Sequence, residues 1–266
     1  MLLEMGVRVW QPVEPPTAPP PEPAVAVRPA PTQPLQPLQP LQAPAPGAPA
    51  SALPVDWATL ASTGAACQAC GLCAGRKHGT LSDPGQAIQA DWMVVGDPPD
   101  EDEDRLGQPF AEQAGVLLDN MLKAVGASRT GQGRGGAYLS NVVKCRPPGG
   151  RVPQAAELHA CARFLQREIQ LVQPKVILAM GRFATQWLLQ EHPQQVALPL
   201  DKQRSTVYRY QGIAVVVSYH PKVLLRASAN KAKAWADLCQ AMDVLEGVLP
   251  QGSAATPPYN GGHDVS

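Results

Sequence analysis

From residue 92 onward, short apolar runs alternate with segments of helical period. Trp92-Met93-Val94-Val95-Gly96 is an apolar stretch closed by glycine, as expected of a buried strand. Leu117, Leu118, Met121, Leu122 and Val125 then recur at helical spacing and predict a helix that stops at Gly126. Residues 137–143 read as a second strand. Residues 155–172 read as a helix with Leu158, Cys161, Leu165 and Val172 near one face. Residues 175–180 predict a third strand, and Gly181 opens a helix through Leu189. Residues 206–210 and 213–219 are two further strand candidates, and residues 231–248 a closing helix. This alternation predicts an α/β fold with a parallel-rich sheet covered on both faces. Ligands of such sheets sit beyond the carboxyl ends of the strands. Gly96-Asp97-Pro98-Pro99, Asn141 and His220-Pro221 all fall at such ends, so the fold would gather them at one edge.

Composition changes the picture at the amino terminus. Sixteen of the 30 prolines lie between Pro12 and Pro54, together with a Gln-Pro-Leu repeat over residues 33–42. Each proline fixes φ and removes a donor, so residues 11–54 are expected to be an extended tail with polyproline II character. It would serve as a tether, or as a docking peptide for a protein partner. The expected organisation is a disordered Pro-rich tail over 1–55, one α/β domain over 56–248 and a disordered tail over 249–266. No run of about 18 apolar residues occurs and residues 1–10 lack a signal-peptide core, so a cytoplasmic protein without membrane contact is expected, and a monomer.

The formal net charge is zero but unevenly placed. Residues 83–120 hold ten acidic side chains against one basic, and residues 141–235 hold fourteen basic against four acidic. The basic half suits a polyanionic partner. The acidic run 100–104 reads as a solvated loop, with a magnesium site as the competing reading.

Six cysteines in such a compartment argue for metal or redox chemistry rather than disulfides. Cys67 and Cys70 form a C-x2-C pair, and Cys145 and Cys161 are separated by fifteen residues. Four thiolates of this kind hold either zinc or a [4Fe–4S] cluster, and spacing leaves both open. Cys73 stands as a substitute ligand, while Cys239 fits the apolar pattern of the last helix.

Several segments then resemble the family 4 uracil-DNA glycosylases, the iron–sulfur, thermostable-type enzymes. They are residues 67–70 (Cys-Gln-Ala-Cys), 107–110 (Gly-Gln-Pro-Phe), 114–118 (Ala-Gly-Val-Leu-Leu), 140–148 (Ser-Asn-Val-Val-Lys-Cys-Arg-Pro-Pro) and 220–226 (His-Pro-Lys-Val-Leu-Leu-Arg). The resemblance runs from about residue 56 to 245. It implies a three-layer α/β/α fold with a four-stranded, mainly parallel sheet. It also implies a [4Fe–4S] cluster on Cys67, Cys70, Cys145 and Cys161, and DNA containing uracil as the substrate. Phe110 would stack on the flipped base, Asn141 would read its Watson–Crick edge, and His220 would donate to O2. Asp97 would position the attacking water. Leu224 or Leu225 would fill the gap left by the base, with Lys222 and Arg226 on phosphates.

One segment departs from that pattern. The family shows Gly-Glu-Ala-Pro-Gly or Gly-Glu-Gly-Pro-Gly after its first strand, whereas this chain has Gly96-Asp97-Pro98-Pro99-Asp100. The family's Phe-Val-Gly is here Phe110-Ala111-Glu112. Asp97 is a methylene shorter than Glu, and Pro98 has no N–H to offer a ligand. Three other functions therefore stand beside the first: a non-catalytic nucleic-acid-binding relative, a glycosylase for another deaminated base such as hypoxanthine, and a metal-dependent nuclease.

Overall fold

A computed structural model of the chain describes residues 56–81, 84 and 88–248. The expectations for the Pro-rich and carboxyl-terminal tails lie outside the described residues. In chain order the elements are α1 (Trp57–Ala65), a 3-10 turn (Gly71–Gly75), β1 (Ala90–Gly96), α2 (Glu101–Leu106), α3 (Glu112–Ala124), β2 (Gly133–Asn141) and a 3-10 turn (Pro148–Gly150). Then follow α4 (Ala155–Val172), β3 (Val176–Met180), α5 (Arg182–Leu188), α6 (Pro193–Val196), α7 (Leu200–Gln203), β4 (Val207–Tyr210) and β5 (Ile213–Ser218). The short α8 (Pro221–Arg226), a 3-10 turn (Ser228–Asn230) and α9 (Lys231–Leu245) close the chain.

The strands form one sheet in the order β2-β1-β3-β5-β4. The first four are parallel, as expected, and β4 adds a fifth, antiparallel edge strand. The β4–β5 hairpin turns at Gln211 (φ 49°) and Gly212 (φ 84°). Two successive left-handed residues match the twist of the flanking strands.

Alternate side chains of each strand enter opposite layers. On β3, Ile177 and Ala179 face a core shared with Leu60 of α1, Leu165 of α4 and Leu188 of α5. Val176, Leu178 and Met180 face the other core, with Leu118 and Leu122 of α3 and Leu238 of α9. Period-two alternation on a sheet with two buried faces leaves no polar side, which is why these strands read as continuous apolar runs.

The register lines up the strand ends. Gly96 pairs with both Asn141 and Met180, and Met180 pairs with Ser218. The residues after these positions therefore emerge in a row. Since β1 connects to β2 on one side and β2 crosses back to β3 on the other, the topological switch falls at β1/β3, the crevice where such sheets take ligands.

Two sequence expectations need correction. The acidic run is the helix α2, not a loop. Asp100 caps it through a capping box with Glu103, and Gly107 (φ 68°) ends it. Four acids in the first turn favour a helix because they face the positive end of its dipole. Glu103 and Asp104 are buried rather than solvated. The second strand also stops at Asn141, two residues before the expected end.

Candidate active site

Gly96, at the end of β1, carries no side chain because the ring of Phe110 lies against it; a Cβ there would stand 2.6 Å from Phe110 Cζ. Phe110 itself has φ 52°, in the left-handed region that non-glycine residues rarely occupy. Two opposite charges hold it there. Its N–H donates to Glu103 Oε1 at 2.7 Å, and its carbonyl accepts from Arg129 Nη2 at 3.0 Å. The ring stacks on the His220 imidazole, with centroids 5.2 Å apart and planes 16° from parallel. A base sandwiched between the two would need about twice a stacking distance, roughly 9 Å or more.

Asn141 ends β2 with its amide fully buried. Nδ2 donates to the Asp97 carbonyl at 2.9 Å and to Glu103 Oε1 at 3.1 Å. Two acceptors at one end fix which amide atom is nitrogen, since the reversed amide would set oxygen against both. Oδ1 is left buried without a hydrogen-bond partner. An orphan acceptor of this kind costs about 1–3 kcal/mol unless a ligand supplies the proton.

Asp97 follows β1 and turns toward the start of α5. Its Oδ1 accepts from the Phe183 N–H at 2.7 Å and the Ala184 N–H at 3.2 Å. Gly181 (φ 106°) makes room, since a Cβ there would collide with the carboxylate. Burial pushes the Asp97 carboxyl up to about 6, against the pull of the Ala184, Phe183 and Arg182 amides.

His220 caps α8. Its Nδ1 accepts from the Lys222 N–H at 3.2 Å, so the ring proton of the neutral form sits on Nε2. Burial, helped by the nearby Lys222 ammonium, holds the imidazole down at about 3. The strand end that carries it is anchored from below. Ser218 Oγ donates to Asp237 at 2.7 Å, and Arg204 grips the same carboxylate with two bonds of 2.8 Å.

The remaining expected residues separate. Lys222 Nζ lies 2.5 Å from Asp100 Oδ2 and 2.8 Å from Glu103 Oε2, so its charge is used inside the protein. Leu224 is 1% exposed and packs with Tyr219 and Ala234, whereas Leu225 is 44% exposed and Arg226 is exposed beside it.

Glu103 was missed in the sequence. It joins Phe110, Asn141, Asp100 and Lys222 in one network. The signal was present as the capping-box pattern Asp100-x-x-Glu103. Arg129 gave no such signal.

The thiols form a second centre. Cys67, Cys70, Cys145 and Cys161 line one cavity with Cys73, closed on the apolar side by Leu72 and Phe164. Donors point at the sulfurs: Arg76 Nη1 to Cys145 at 3.3 Å, the Lys144 N–H to Cys161 at 3.3 Å and Arg163 Nη2 to Cys67 at 3.6 Å. Burial pushes the Cys161 thiol up to about 12 and raises Cys145 against the Arg76 charge. Among the described residues no three His, Cys, Asp or Glu side chains gather closely enough for a single ion. Four thiols around one cavity, with cations and N–H groups aimed at the sulfurs, have the donor chemistry that a metal–thiolate centre requires.

Comparison with known proteins agrees with this geometry. The Uracil DNA glycosylase superfamily matches the chain over residues 83–239. The type-4 uracil-DNA glycosylase of Pyrobaculum aerophilum is 34% identical over 174 residues, covering 64% of this chain and 86% of that protein. That of Archaeoglobus fulgidus is 33% identical over 164 residues, covering 60% and 78%. That of Sulfurisphaera tokodaii is 35% identical over 150 residues, covering 55% and 66%.

Proposed function

This chain belongs to the uracil-DNA glycosylase superfamily, on its type-4 branch, and we propose that it hydrolyses the N-glycosidic bond of uracil in DNA, the opening step of base excision repair. The observation that carries the reading is the orphan Oδ1 of Asn141, a fixed acceptor at the ligand edge of the sheet. Uracil offers an N–H at N3, which this oxygen would accept. Cytosine has a lone pair there and would leave the acceptor unsatisfied, so the same atom selects for the deaminated base.

A base inside a duplex cannot reach these groups, so the nucleotide is extruded first. Phe110 and His220 must part as the base enters, because their stack leaves no gap for it. Phe110 then exchanges the imidazole face for the uracil face. The neutral His220 ring would donate from Nε2 to O2 of the leaving base, where negative charge grows. Asp97, with its carboxyl near 6, would hold and deprotonate the attacking water. On the DNA side, Leu225 is the leucine exposed to fill the vacated stack, and Arg226 would meet a phosphate. The internal pairing of Lys222 gives it the task of joining the His220 helix to α2 instead.

Cys67, Cys70, Cys145 and Cys161 would hold a [4Fe–4S] cluster. Its contribution when bound is structural, tying the segment after α1 to the turn between β2 and α4. We place the enzyme in the cytoplasm as a monomer acting on DNA. Among the described residues no helix is long and apolar enough to cross a membrane.

The test uses labelled oligonucleotides containing uracil, hypoxanthine or only normal bases, incubated with and without chelator and then treated with alkali. Strand breaks are expected from uracil alone and without added metal, from anaerobically purified brown protein holding about four irons per chain. Cleavage of normal strands that chelator abolishes would support the nuclease. Preferential release of hypoxanthine would move the specificity, and stoichiometric zinc without iron would refute the cluster.

A further inference from the structure

We propose that Lys144 is a positioning residue for base recognition, holding the Asn141 main chain so that the side-chain amide keeps its aim. The inference rests on the reading of Asn141 as the group that meets uracil.

The side chain of Lys144 is 3% exposed. An ammonium group has three donors, and here all three are committed. Nζ lies 2.5 Å from Ser140 Oγ, 2.8 Å from the Asn141 carbonyl and 2.5 Å from Glu168 Oε2. Glu168 is itself fully buried and accepts from Tyr138 Oη and Ser140 Oγ, both at 2.8 Å. Every member of the cluster is satisfied, so moving any one leaves a buried charge or dipole unpaired.

The position of this tripod gives it a task. β2 ends at Asn141, whose carbonyl turns back to the ammonium three residues later, while the Val142 N–H still reaches the Gly96 carbonyl at 2.9 Å. The peptide between Asn141 and Val142 is thus held at both its oxygen and its N–H, which restrains the direction in which the Asn141 side chain leaves the backbone. The main chain of Lys144 faces the other centre. Its N–H donates to Cys161 Sγ at 3.3 Å, its carbonyl accepts from the Thr80 N–H at 3.0 Å, and Cys145 follows directly. One residue therefore stands between the base-reading amide and the thiol cavity. A buried ion pair is a poor stabiliser compared with apolar packing, so a geometric role for this one is consistent with its energetics.

Lys144→Met alone would strand the Glu168 charge, so the decisive variant is Lys144→Met/Glu168→Gln, which removes both charges. Glu168→Gln alone keeps an oxygen for Lys144 but leaves its ammonium buried without a counter-ion, so it reports the effect of the unpaired charge. Four readouts are taken on the iron-loaded proteins: iron per chain, melting temperature, equilibrium binding of free uracil, and binding of DNA carrying an abasic site. The double variant is expected to keep its iron and its affinity for abasic DNA while binding uracil about tenfold or more weakly, the size expected for losing one charge-assisted hydrogen bond. Glu168→Gln is expected to lower the melting temperature, with uracil binding falling less than in the double variant because an oxygen that can accept from Lys144 remains.

Uracil binding unchanged in the double variant overturns the proposal. So does a parallel loss of iron, melting temperature and abasic-DNA binding in the Lys144 variants, which would mark the residue as a prop for the fold. Asn141→Ala separates the two readings, with uracil binding expected to fall about tenfold or more and abasic-DNA binding to persist. If Asn141→Ala binds uracil like the parent, the recognition role of Asn141 fails. If Asn141→Ala loses uracil and the double variant does not, only the role of Lys144 fails.

Discussion

Replacing His220 by alanine is expected to slow base release about 10²–10³-fold while folding and iron content persist. The size follows from what a fixed donor contributes when it meets charge that exists only in the transition state. The structure narrows the form of that donor. Nδ1 is occupied by the Lys222 N–H, so Nε2 carries the proton, and burial holds the ring neutral with its ionisation at about 3. A histidine depressed this far contributes no limb to the rate profile between pH 5 and 8. It does contribute to stability: the unfolded chain protonates near 6.5 and the folded one does not, so stability falls as pH drops from about 6.5 toward 3. Single-turnover kinetics on a uracil-containing strand would check the rate, and a near-parent value would remove His220 from the chemistry.

The second large effect is expected from Asp97→Asn, a loss of about 10²–10⁴ in single-turnover excision, the range of a general base. In the parent the rate should rise with pH through about 6 as this carboxyl ionises, and the variant should lose that limb. Stability should move the other way. The folded carboxyl ionises higher than its ordinary 3.8, so the stability it contributes is complete below that value and is lost as pH rises through about 6. Asparagine keeps an oxygen for the Phe183 and Ala184 amides without the buried charge, so the variant should melt at or above the parent at neutral pH. A variant that excises like the parent would leave Asp97 as a cap for α5 and nothing more. Pro98→Gly, which returns the missing N–H beside Asp97, should excise at least as fast as the parent. Cleavage by that variant and none by the parent would favour the non-catalytic relative.

The placement of these two residues at one sheet edge is legible in the sequence because each follows an apolar run at the end of a parallel strand, the position where an α/β sheet presents ligand groups. Asn141 was legible for the same reason. Glu103 was not, because five adjacent acids look solvated until a capping box buries one of them. Glu168 lay on the apolar stripe of α4, one turn beyond Leu165, but its partner Lys144 sits 24 residues away and only the fold brings them together. The expected phosphate contact of Lys222 has a similar history: a lysine after His-Pro looks free until α2 places two carboxylates beside it.

What the chain determined by itself was the order of its elements, since period two and period 3.6 are local properties that any segment of sufficient length displays. It also determined that Gly96-Asp97, Asn141 and His220 would share an edge, because parallel strands of similar length place their carboxyl ends together. The tertiary structure alone decided which of Leu224 and Leu225 is exposed, since a helix of six residues is too short for its pattern to fix which face is buried. It decided that the Asn141 amide spends both donor hydrogens inside the protein and keeps a bare acceptor for the ligand. It also decided that Phe110 and His220 lie against each other before any base arrives. Side-chain pairing across elements depends on distances of a few tenths of an ångström between segments remote in the chain, and periodicity carries no record of those.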